Sequence, residues 1–407
     1  MKKIELLSPA GDFERLRAAV MYGADAVYLG TSRFSMRSMP PNFDEKTLKE
    51  AVLFAHKNGV KAYLTANSIP RDNELKFFPA FLENAAEADI DALIIADLGL
   101  LSLARKHLPD MEIHMSTQTG IVNAAAAQTL YDMGVKRAVL ARELSLDEIA
   151  DIRAAIPREM SLEAFVHGSM CVSFSGRCLL SHYMTGRDAN RGACAQTCRW
   201  SYALCEETRP GQFFPIEEEP HGTFILNSKD LNTLPILDKI TAAGVDSLKI
   251  EGRAKSAYYT AAATNAYRAA IDIINAGGDY ALPDWVMSET EKFSHRPYSF
   301  GFYTGGGGEE YYASSGYTRD WDIIAVTVSQ NGRRLFCEQR NKFLPGTDAE
   351  IMIPKIPPQK IRIEKLYGEN GDEIPDTRHA QMPFSFDLPE NAPTIPSGAF
   401  IRTKHKN

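Results

Sequence analysis

Residues 5–30, ELLSPAGDFERLRAAVMYGADAVYLG, contain the unit that decides the fold. They read as an apolar run, a polar loop, an amphipathic helix and a second apolar run. The helical part, DFERLRAAVMYG, ends in Gly23, and glycine is a common helix stop. The two apolar runs are short and aliphatic, which is typical of buried strands. The stretch therefore predicts two parallel strands joined by a crossover helix.

The same pattern recurs along residues 1–255. Apolar runs begin at eight positions, namely Ile4, Ala26, Lys61, Ala92, Glu112, Arg137, Leu162 and Ser247. No unit carries a dinucleotide fingerprint, so a (β/α)8 TIM-like barrel fits better than an open α/β sheet. A ninth run begins at Thr223. It is either a barrel strand or part of an insertion, and the sequence leaves both interpretations open.

The spacing of these runs predicts the domain boundaries. Most units start 20 to 35 residues apart, but 85 residues separate Leu162 from Ser247. We therefore expect a barrel at 1–280, closed by a long helix from Lys255, with a cysteine-rich insertion at 168–222. A Gly- and Tyr-rich linker follows at 281–318. Short alternating runs with frequent turn signals predict a small β-barrel domain at 319–407.

Composition narrows the class of protein. The 407 residues are 44% hydrophobic and 24% charged, as in ordinary soluble proteins. Charge and Pro9 interrupt the N-terminus before any long apolar run, and no window reaches about 18 consecutive apolar residues. We therefore expect a cytoplasmic protein without a membrane span. The net charge of −7 means that a nucleic-acid partner would need a local basic patch.

Four of the six cysteines lie within residues 167–200, at the start of the predicted insertion: Cys171, Cys178, Cys194 and Cys198. Structural zinc sites usually show two close cysteine pairs, and only one pair here is close. Iron–sulfur clusters accept wider spacing, so the pattern favours a cluster over zinc. A redox thiol pair and cysteines without metal also remain open. Cys205 is a possible extra ligand.

The same insertion is rich in arginine. It contains Arg177, Arg187, Arg191 and Arg199, with Trp200 beside the last. Such a group suits an RNA groove or a small dicarboxylate held by bidentate arginine. The alternative is that these arginines are solvated or pair with the acidic residues Glu206, Glu207 and 217–219.

Polar residues at the predicted C-terminal strand ends are the candidates for chemistry, because barrel active sites occupy that face. Three are proposed for catalysis: His167, Lys249 and Glu251. Six are proposed to bind substrate: Arg142, Arg177, Asn227, Lys229, Asp230 and Arg253. Lys249 and Glu251 stand two residues apart on one strand face, so they form either an acid–base couple or a salt bridge. A structural role is expected for His114 and Glu163.

Three long motifs resemble the proteins classed as peptidase family U32. They are residues 5–30, the stretch EAFVHGSMCVSFSGRCLLS at 163–181 and LNSKDLNTLPILDKITAAGVDSLKIEGRAKS at 226–256. Within that family, GACAQTCRW at 192–200 is most similar to a bacterial branch associated with tRNA hydroxylation. The resemblance implies hydroxylation of carbon 5 of the wobble uridine, with prephenate or a similar small carboxylate as the hydroxyl source.

The resemblance also implies a cofactor. Related members hold a 4Fe–4S cluster on four cysteines, and Cys171, Cys178 and Cys194 match three of them. The fourth family cysteine often follows K-D-L, where this chain has Asn232. Cys198 is therefore the candidate for the fourth ligand, with zinc as the alternative metal.

Two other functions remain open. The family name implies a collagenase-like peptidase, although the chain has neither a G-x-S-x-G elbow nor an H-E-x-x-H motif. The second alternative is that the chain is a non-catalytic scaffold, which would act as a partner subunit of a hydroxylation complex. A homo- or hetero-oligomer is compatible with each function.

Overall fold

Eight parallel strands close into a barrel in the computed structural model, which describes residues 3–36, 42–200, 204–205, 213–214, 228–305 and 317–405. The first seven barrel strands are β1 Glu5–Pro9, β2 Ala26–Gly30, β3 Lys61–Ala66, β4 Ala92–Ile95, β5 Glu112–Met115, β6 Arg137–Val139 and β7 Ser161–Ser169. Three short strands come next, β8 Leu204–Cys205, β9 Phe213–Phe214 and β10 Asp230–Asn232, and then the eighth barrel strand, β11 Ser247–Ile250. Strand β11 pairs with both β1 and β7, which closes the ring. The predicted (β/α)8 TIM-like barrel is confirmed.

Burial explains why these strands could be recognised in the sequence. All residues of β2, β4, β6 and β11 are buried, and the other barrel strands expose only their ends. A strand covered by helices outside and side chains inside has no solvent face, so its sequence is mostly apolar. One cluster of buried side chains joins four of these strands and includes Leu7, Tyr28, Tyr63 and Ile94.

Helices connect the strands. Their bounds are α1 Phe13–Met21, α2 Glu45–Lys57, α3 Asp72–Leu75, α4 Phe78–Glu87, α5 Leu98–His107, α6 Ala124–Asp132, α7 Leu146–Ala155, α8 Leu180–Thr185, α9 Leu237–Ala242, α10 Ala257–Ala276 and α11 Asp284–Glu289. Capping side chains fix the residues at which several of these helices begin. At α7, Ser145 accepts a hydrogen bond from the backbone N–H of Glu148, whose carboxylate accepts one from the N–H of Ser145. Among the described residues, no helix has the length and apolar character needed to cross a bilayer.

The ninth candidate strand does not belong to the barrel. Residues 223–227 lie outside the described part, and β10 begins at Asp230. Strand β10 runs antiparallel to the end of β7, with Asn232 opposite His167, and its other neighbour is β12, Tyr298–Ser299. It is therefore an addition at the C-terminal end of β7.

The chain divides into two compact units by its internal contacts. The first contains Met1–Val20, Ala24–Lys255 and Arg296–Tyr317, and the second contains Met21–Gly23, Ser256–His295 and Thr318–Asn407. This division differs from the predicted boundaries at 280 and 318, because α10 and α11 belong with the second unit. The sequence pattern of α10 shows that the helix packs against something, but not against what.

The second unit contains one antiparallel sheet of eight strands, so the predicted all-β domain is confirmed. The strands are β13 Trp321–Asn331, β14 Arg334–Gln339, β15 Thr347–Met352, β16 Gln359–Ile363, β17 Leu366–Tyr367, β18 Glu373–Ile374, β19 Pro383–Asp387 and β20 Phe400–Lys404. Their order is β16-β15-β20-β13-β14-β19-β17-β18, and the sheet forms a half-barrel.

A fully buried arginine links α11 to this sheet. Arg402 forms ion pairs with Glu289 and with Glu350, the latter at 2.8 Å. Neither Arg402 nor Glu289 is exposed to solvent. Since burying carboxylates without their cation is costly, we expect Arg402→Met to lower the free energy of unfolding by about 3–5 kcal/mol in urea titrations.

The exposed Arg362, 3.1 Å from Asp348, provides the control for that measurement. Arg362→Met should change the free energy of unfolding by less than about 1 kcal/mol, because water screens exposed pairs. Equal effects of the two substitutions would contradict a structural role for the buried group.

Candidate functional site

The cysteine insertion leaves the barrel at the C-terminal end of β7, on the face where the other strands also end. Hydrogen bonds fix it to neighbouring strand ends. The backbone N–H and the hydroxyl of Ser175 donate to Glu143, which follows β6, at 2.6 and 2.8 Å. Arg191 forms an ion pair of 2.9 Å with Glu74, which lies on α3 after β3. The insertion therefore has defined anchors on the presumed catalytic face.

Asn190 organises the insertion from within. Its side-chain oxygen accepts the backbone N–H of Cys178 at 3.1 Å, and its amide nitrogen donates to the carbonyl of the same residue at 3.0 Å. Its own carbonyl accepts the N–H of Ile69, beyond β3. Asn190 thus connects Cys178 to the barrel through its side chain and its own carbonyl. Neither Asn190 nor Glu143 could be identified from the sequence, since their partners lie elsewhere along the chain.

Two cysteine sulfurs accept backbone hydrogen bonds. The N–H of Ser173 donates to Cys171 Sγ, and the N–H of Gln196 donates to Cys194 Sγ, each at 3.4 Å. Ser175 and Gln196 adopt positive φ angles of 46° and 56°, which side chains other than glycine rarely do. These turns bend the backbone around the sulfurs, and N–H groups on sulfur are one means of tuning iron–sulfur centres.

Cys171, Cys178, Cys194 and Cys198 are free thiols. Burial raises the pKa of the Cys171 thiol, and the charges of Cys178 and Cys194 raise it further. The N–H of Ser173 and the charge of Arg142 oppose this rise. Burial likewise raises the pKa of Cys198, with Arg199 opposing and the other three cysteines adding. Cys198 therefore lies within electrostatic reach of the other three thiols, and Cys171 within reach of Cys178 and Cys194.

The four thiols are the donor type that an iron–sulfur cluster uses. In the described part of the chain, no three Cys, His, Asp or Glu side chains are placed to hold one metal ion. A mononuclear zinc site requires such convergence, whereas a cluster binds each thiolate at a different iron. Four free thiols, two of which accept backbone N–H groups, are the residues that would hold a cluster here.

Two arginines hold the backbone immediately before Cys171. Arg142 Nη1 donates to the carbonyl of Ser169, and Arg199 Nη2 donates to that of Met170, both at 2.9 Å. The guanidinium of Arg142 also lies 3.8 Å from the ring centre of Phe165. Arg142 and Arg199 therefore fix the position of Cys171 and place positive charge beside the thiols.

The other predicted arginines have different surroundings. Arg177 is exposed, and its Nε donates to the carbonyl of Gln118 at 2.5 Å. Arg253 is buried and donates to Thr65 Oγ1 and Ser35 Oγ at 2.8 and 2.5 Å. A Cβ atom on Gly30 would clash with the guanidinium of Arg253, so a larger residue there would force Arg253 to move.

The remaining strand-end candidates lie near β10. His167 is 1% exposed, and its ring centre lies 5.6 Å from that of Tyr298. Asp230 is buried and accepts the backbone N–H of Arg296 at 3.1 Å. Lys229 is half-buried, and Asn227 lies outside the described residues.

At the position of the family's fourth cysteine, Asn232 accepts the N–H of Leu234 at 3.2 Å. Its side-chain oxygen therefore serves the turn that leads into α9. Among the described cysteines, Cys198 remains the candidate for the fourth ligand.

Lys249 contacts a residue that the sequence assigned a structural role. Its Nζ lies 2.7 Å from Glu163 Oε1, and the other oxygen of Glu163 lies 3.0 Å from Arg137 Nη1. Burial lowers the pKa of Lys249, and Glu163 opposes this shift. The carboxylate of Glu163 is held ionised, because Lys249 and Arg137 outweigh the effect of burial on its pKa. Glu251 follows β11, and its N–H donates to the carbonyl of His167 at 2.8 Å.

Glu5 completes this buried network and predicts a pH dependence of stability. Burial would raise its pKa, but Arg137, at 2.5 Å, and hydrogen bonds from Tyr63 and Ser247 lower it to about 2. A lowered folded-state pKa stabilises the protein above the unfolded value near 4.5 and loses that effect as the pH falls towards 2. We expect the Glu5 contribution to fall by about 2 kcal/mol between pH 7 and pH 3.

Urea unfolding of the parent and of Glu5→Gln across this range measures that contribution. The variant should be less stable at pH 7, and the difference should narrow by about 2 kcal/mol at pH 3. Parallel pH profiles would contradict the shifted pKa.

Comparison with known proteins agrees with this architecture. Residues 11–312 match the sequence model of peptidase family U32, and residues 319–402 match the C-terminal domain of that family. The chain is 38% identical over 419 residues to tRNA hydroxylation protein P of Escherichia coli (strain K12), which covers 92% of this chain and 91% of that protein.

Two further relatives carry different names. The chain is 40% identical over 301 residues to a 23S rRNA 5-hydroxycytidine synthase of Escherichia coli, covering 72% of this chain and 44% of that protein. It is 33% identical over 313 residues to a collagenase of Porphyromonas gingivalis, covering 74% and 73%. Because the family model spans most of the barrel unit and a second model spans the β-sheet region, the chain belongs to peptidase family U32.

Proposed function

We propose that this protein hydroxylates tRNA at carbon 5 of the wobble uridine, with a 4Fe–4S cluster on the cysteine insertion and prephenate or a similar small carboxylate as the hydroxyl source. The observation that carries the proposal is the set of four free thiols in the insertion that follows the C-terminal end of β7, where backbone N–H groups donate to two of the sulfurs. The names of two relatives, a tRNA hydroxylation protein and an rRNA hydroxycytidine synthase, support hydroxylation of a nucleic acid. A tRNA substrate implies a cytoplasmic protein.

In this proposal Cys171, Cys178, Cys194 and Cys198 hold the cluster. A bound cluster would supply Lewis-acid irons and a route for electrons. The chain itself orients the thiols through the N–H groups of Ser173 and Gln196 and through the arginine contacts before Cys171. The positive charge of Arg142 and Arg199 also offsets the negative charge that four thiolates bring into the site.

Arg142 is also the candidate for binding the carboxylate. It is half-buried, and among the described residues its only hydrogen bond is the one to the Ser169 carbonyl. Its remaining N–H donors suit the bidentate geometry of a carboxylate. A carboxylate that serves as the hydroxyl source and is held by Arg142 would lie beside Cys171. The exposed Arg177 is a second cation on the same insertion.

Lys249 is the candidate for moving a proton. Replacing the hydrogen on carbon 5 by a hydroxyl group oxidises the uridine by two electrons. The hydroxyl source, R–OH, must accept that electron pair and leave as R–H, so the proton displaced from carbon 5 has to be passed to it by a nearby base. Burial lowers the pKa of Lys249, so its ammonium releases a proton more readily than that of an exposed lysine and can then take up the one displaced from carbon 5. Glu163 orients the amine at 2.7 Å. His167 and Glu251 lie at the same strand ends and remain candidates for acid–base roles.

Peptide hydrolysis is the second candidate, favoured by the relative named collagenase. A peptidase would need an activated nucleophile or a metal-bound water, and it would not need four free thiols in one insertion. The two functions therefore differ in their dependence on the cysteines, and peptidase activity would survive the loss of Cys194.

The test uses unmodified tRNA and chain purified without oxygen, with prephenate added. Nucleoside analysis should detect 5-hydroxyuridine with the parent chain and none with Cys194→Ser. Cleavage of an unfolded protein by both forms, without 5-hydroxyuridine, would instead show a peptidase. No activity from the purified chain, with activity restored by cell extract, would show a partner subunit.

A further inference from the structure

The cysteine insertion presents an exposed apolar face. Leu179 and Tyr183 expose 77% and 86% of their surface, and Phe174, Met184 and Trp200 expose between 44% and 51%. Single exposed apolar residues are ordinary, but five large ones within 27 consecutive residues are a candidate for contact with another molecule. We call these five residues the loop face.

The backbone beneath the loop face keeps it turned outward. Ser181 on α8 is fully buried, donates to the carbonyl of Arg187 at 2.8 Å and accepts the N–H of Ala195 at 2.9 Å. Leu179 and Tyr183 are four residues apart, so they share the opposite side of this helical turn. The insertion's own packing therefore leaves their side chains in solvent.

The charge around the loop face is positive in a chain of net charge −7. Residues 168–200 contain four arginines and one aspartate, and that aspartate, Asp188, caps a turn by accepting the N–H of Asn190. Arg177 and Arg187 are exposed and form no ion pair with any described residue. These cations are placed to meet anions from another molecule.

We propose that the loop face binds the unpaired anticodon loop of tRNA, with Tyr183 stacking on a base and Arg187 contacting phosphate. Unpaired RNA bases stack on aromatic rings while cations follow the backbone. Arg187 Nη2 also donates to the carbonyl of Cys194 at 3.4 Å, so RNA held there lies beside a proposed cluster ligand. The inference rests on the proposed function and names the surface that selects its substrate.

The experiment measures the affinity of an unmodified tRNA transcript for the full-length chain by fluorescence anisotropy, without a hydroxyl donor. Tyr183→Ala should weaken binding roughly 10-fold, and Tyr183→Trp should keep it within about twofold, because indole also stacks. Arg187→Ala should weaken binding and lower the slope of log affinity against log salt by about 1. Iron and sulfide content should match the parent chain in the tyrosine variants.

Matched controls lie at the other end of the barrel, before β6 and β7. Met133 is 42% exposed and Arg158 is exposed, and both precede their strands. Met133→Ala and Arg158→Ala should leave the tRNA affinity within about twofold of the parent. If Arg158→Ala and Arg187→Ala lost equal amounts of tRNA affinity, the protein would attract tRNA through its overall distribution of positive charge. That result would overturn the proposed surface.

Two further outcomes separate this inference from the proposed function. If Tyr183→Ala loses affinity but the parent forms no 5-hydroxyuridine, the RNA surface stands and the hydroxylase proposal fails. If Tyr183→Ala binds tRNA like the parent, the inference is wrong even when hydroxylation is found. A variant that binds tRNA normally but changes from dimer to monomer on sedimentation would show that copies of this chain cover the loop face.

Discussion

Serine in place of Cys171, Cys178, Cys194 or Cys198 is expected to remove most bound iron and sulfide and to reduce tRNA hydroxylation by at least about 100-fold. Loss of a residue that merely supports a metal ligand already costs about 10–100-fold, and loss of a ligand should cost more. A serine hydroxyl does not ionise at neutral pH, so it cannot replace a thiolate. Iron, acid-labile sulfide and the optical spectrum of each variant, purified without oxygen, measure the result.

Cys337 is the internal control for these variants. It is 2% exposed and packs in the core of the second unit. Cys337→Ala should keep its iron, sulfide and activity, although it should be less stable. If Cys198→Ser alone kept the full iron content, the fourth ligand would have to be another residue. If all four variants kept it, the cluster proposal would fail.

The barrel could be predicted because its physical cause is local. Each strand is buried on both faces, so it appears in the sequence as a short apolar run, and all eight runs coincide with barrel strands. The additional strand β10 could not be separated from these runs by sequence alone. It differs from them in pairing antiparallel with β7, and pairing direction leaves no local pattern.

The candidate site was less predictable because its contacts join distant parts of the chain. Glu163 and Lys249 are 86 residues apart and meet only because β11 closes the ring against β7. The sequence paired Lys249 with Glu251 as neighbours on one strand face, whereas the contact at 2.7 Å is with Glu163. Cysteines and arginines in one short loop could be recognised without the fold, because their grouping is already present in the sequence.

Lys249→Met is expected to lower the free energy of unfolding by about 3–5 kcal/mol, because it leaves a buried carboxylate with one cation too few. The network balances Glu5 and Glu163 against Arg137 and Lys249. Adding Glu163→Gln removes the excess negative charge and leaves the pair between Glu5 and Arg137. The double variant should therefore recover most of the lost stability, with a coupling energy of about 2 kcal/mol or more in a double-mutant cycle.

The same double variant separates the two roles of Lys249. If Lys249 moves the proton released from the base, the folded double variant should hydroxylate tRNA at least about 100-fold more slowly, because a positioned acid or base contributes about 10²–10⁴-fold. Its cluster content should equal that of the parent, since neither residue is a proposed ligand. Recovery of both stability and hydroxylation would mean that Lys249 only balances charge inside the barrel. His167 and Glu251 would then be the remaining candidates, because both lie where β7 and β11 end.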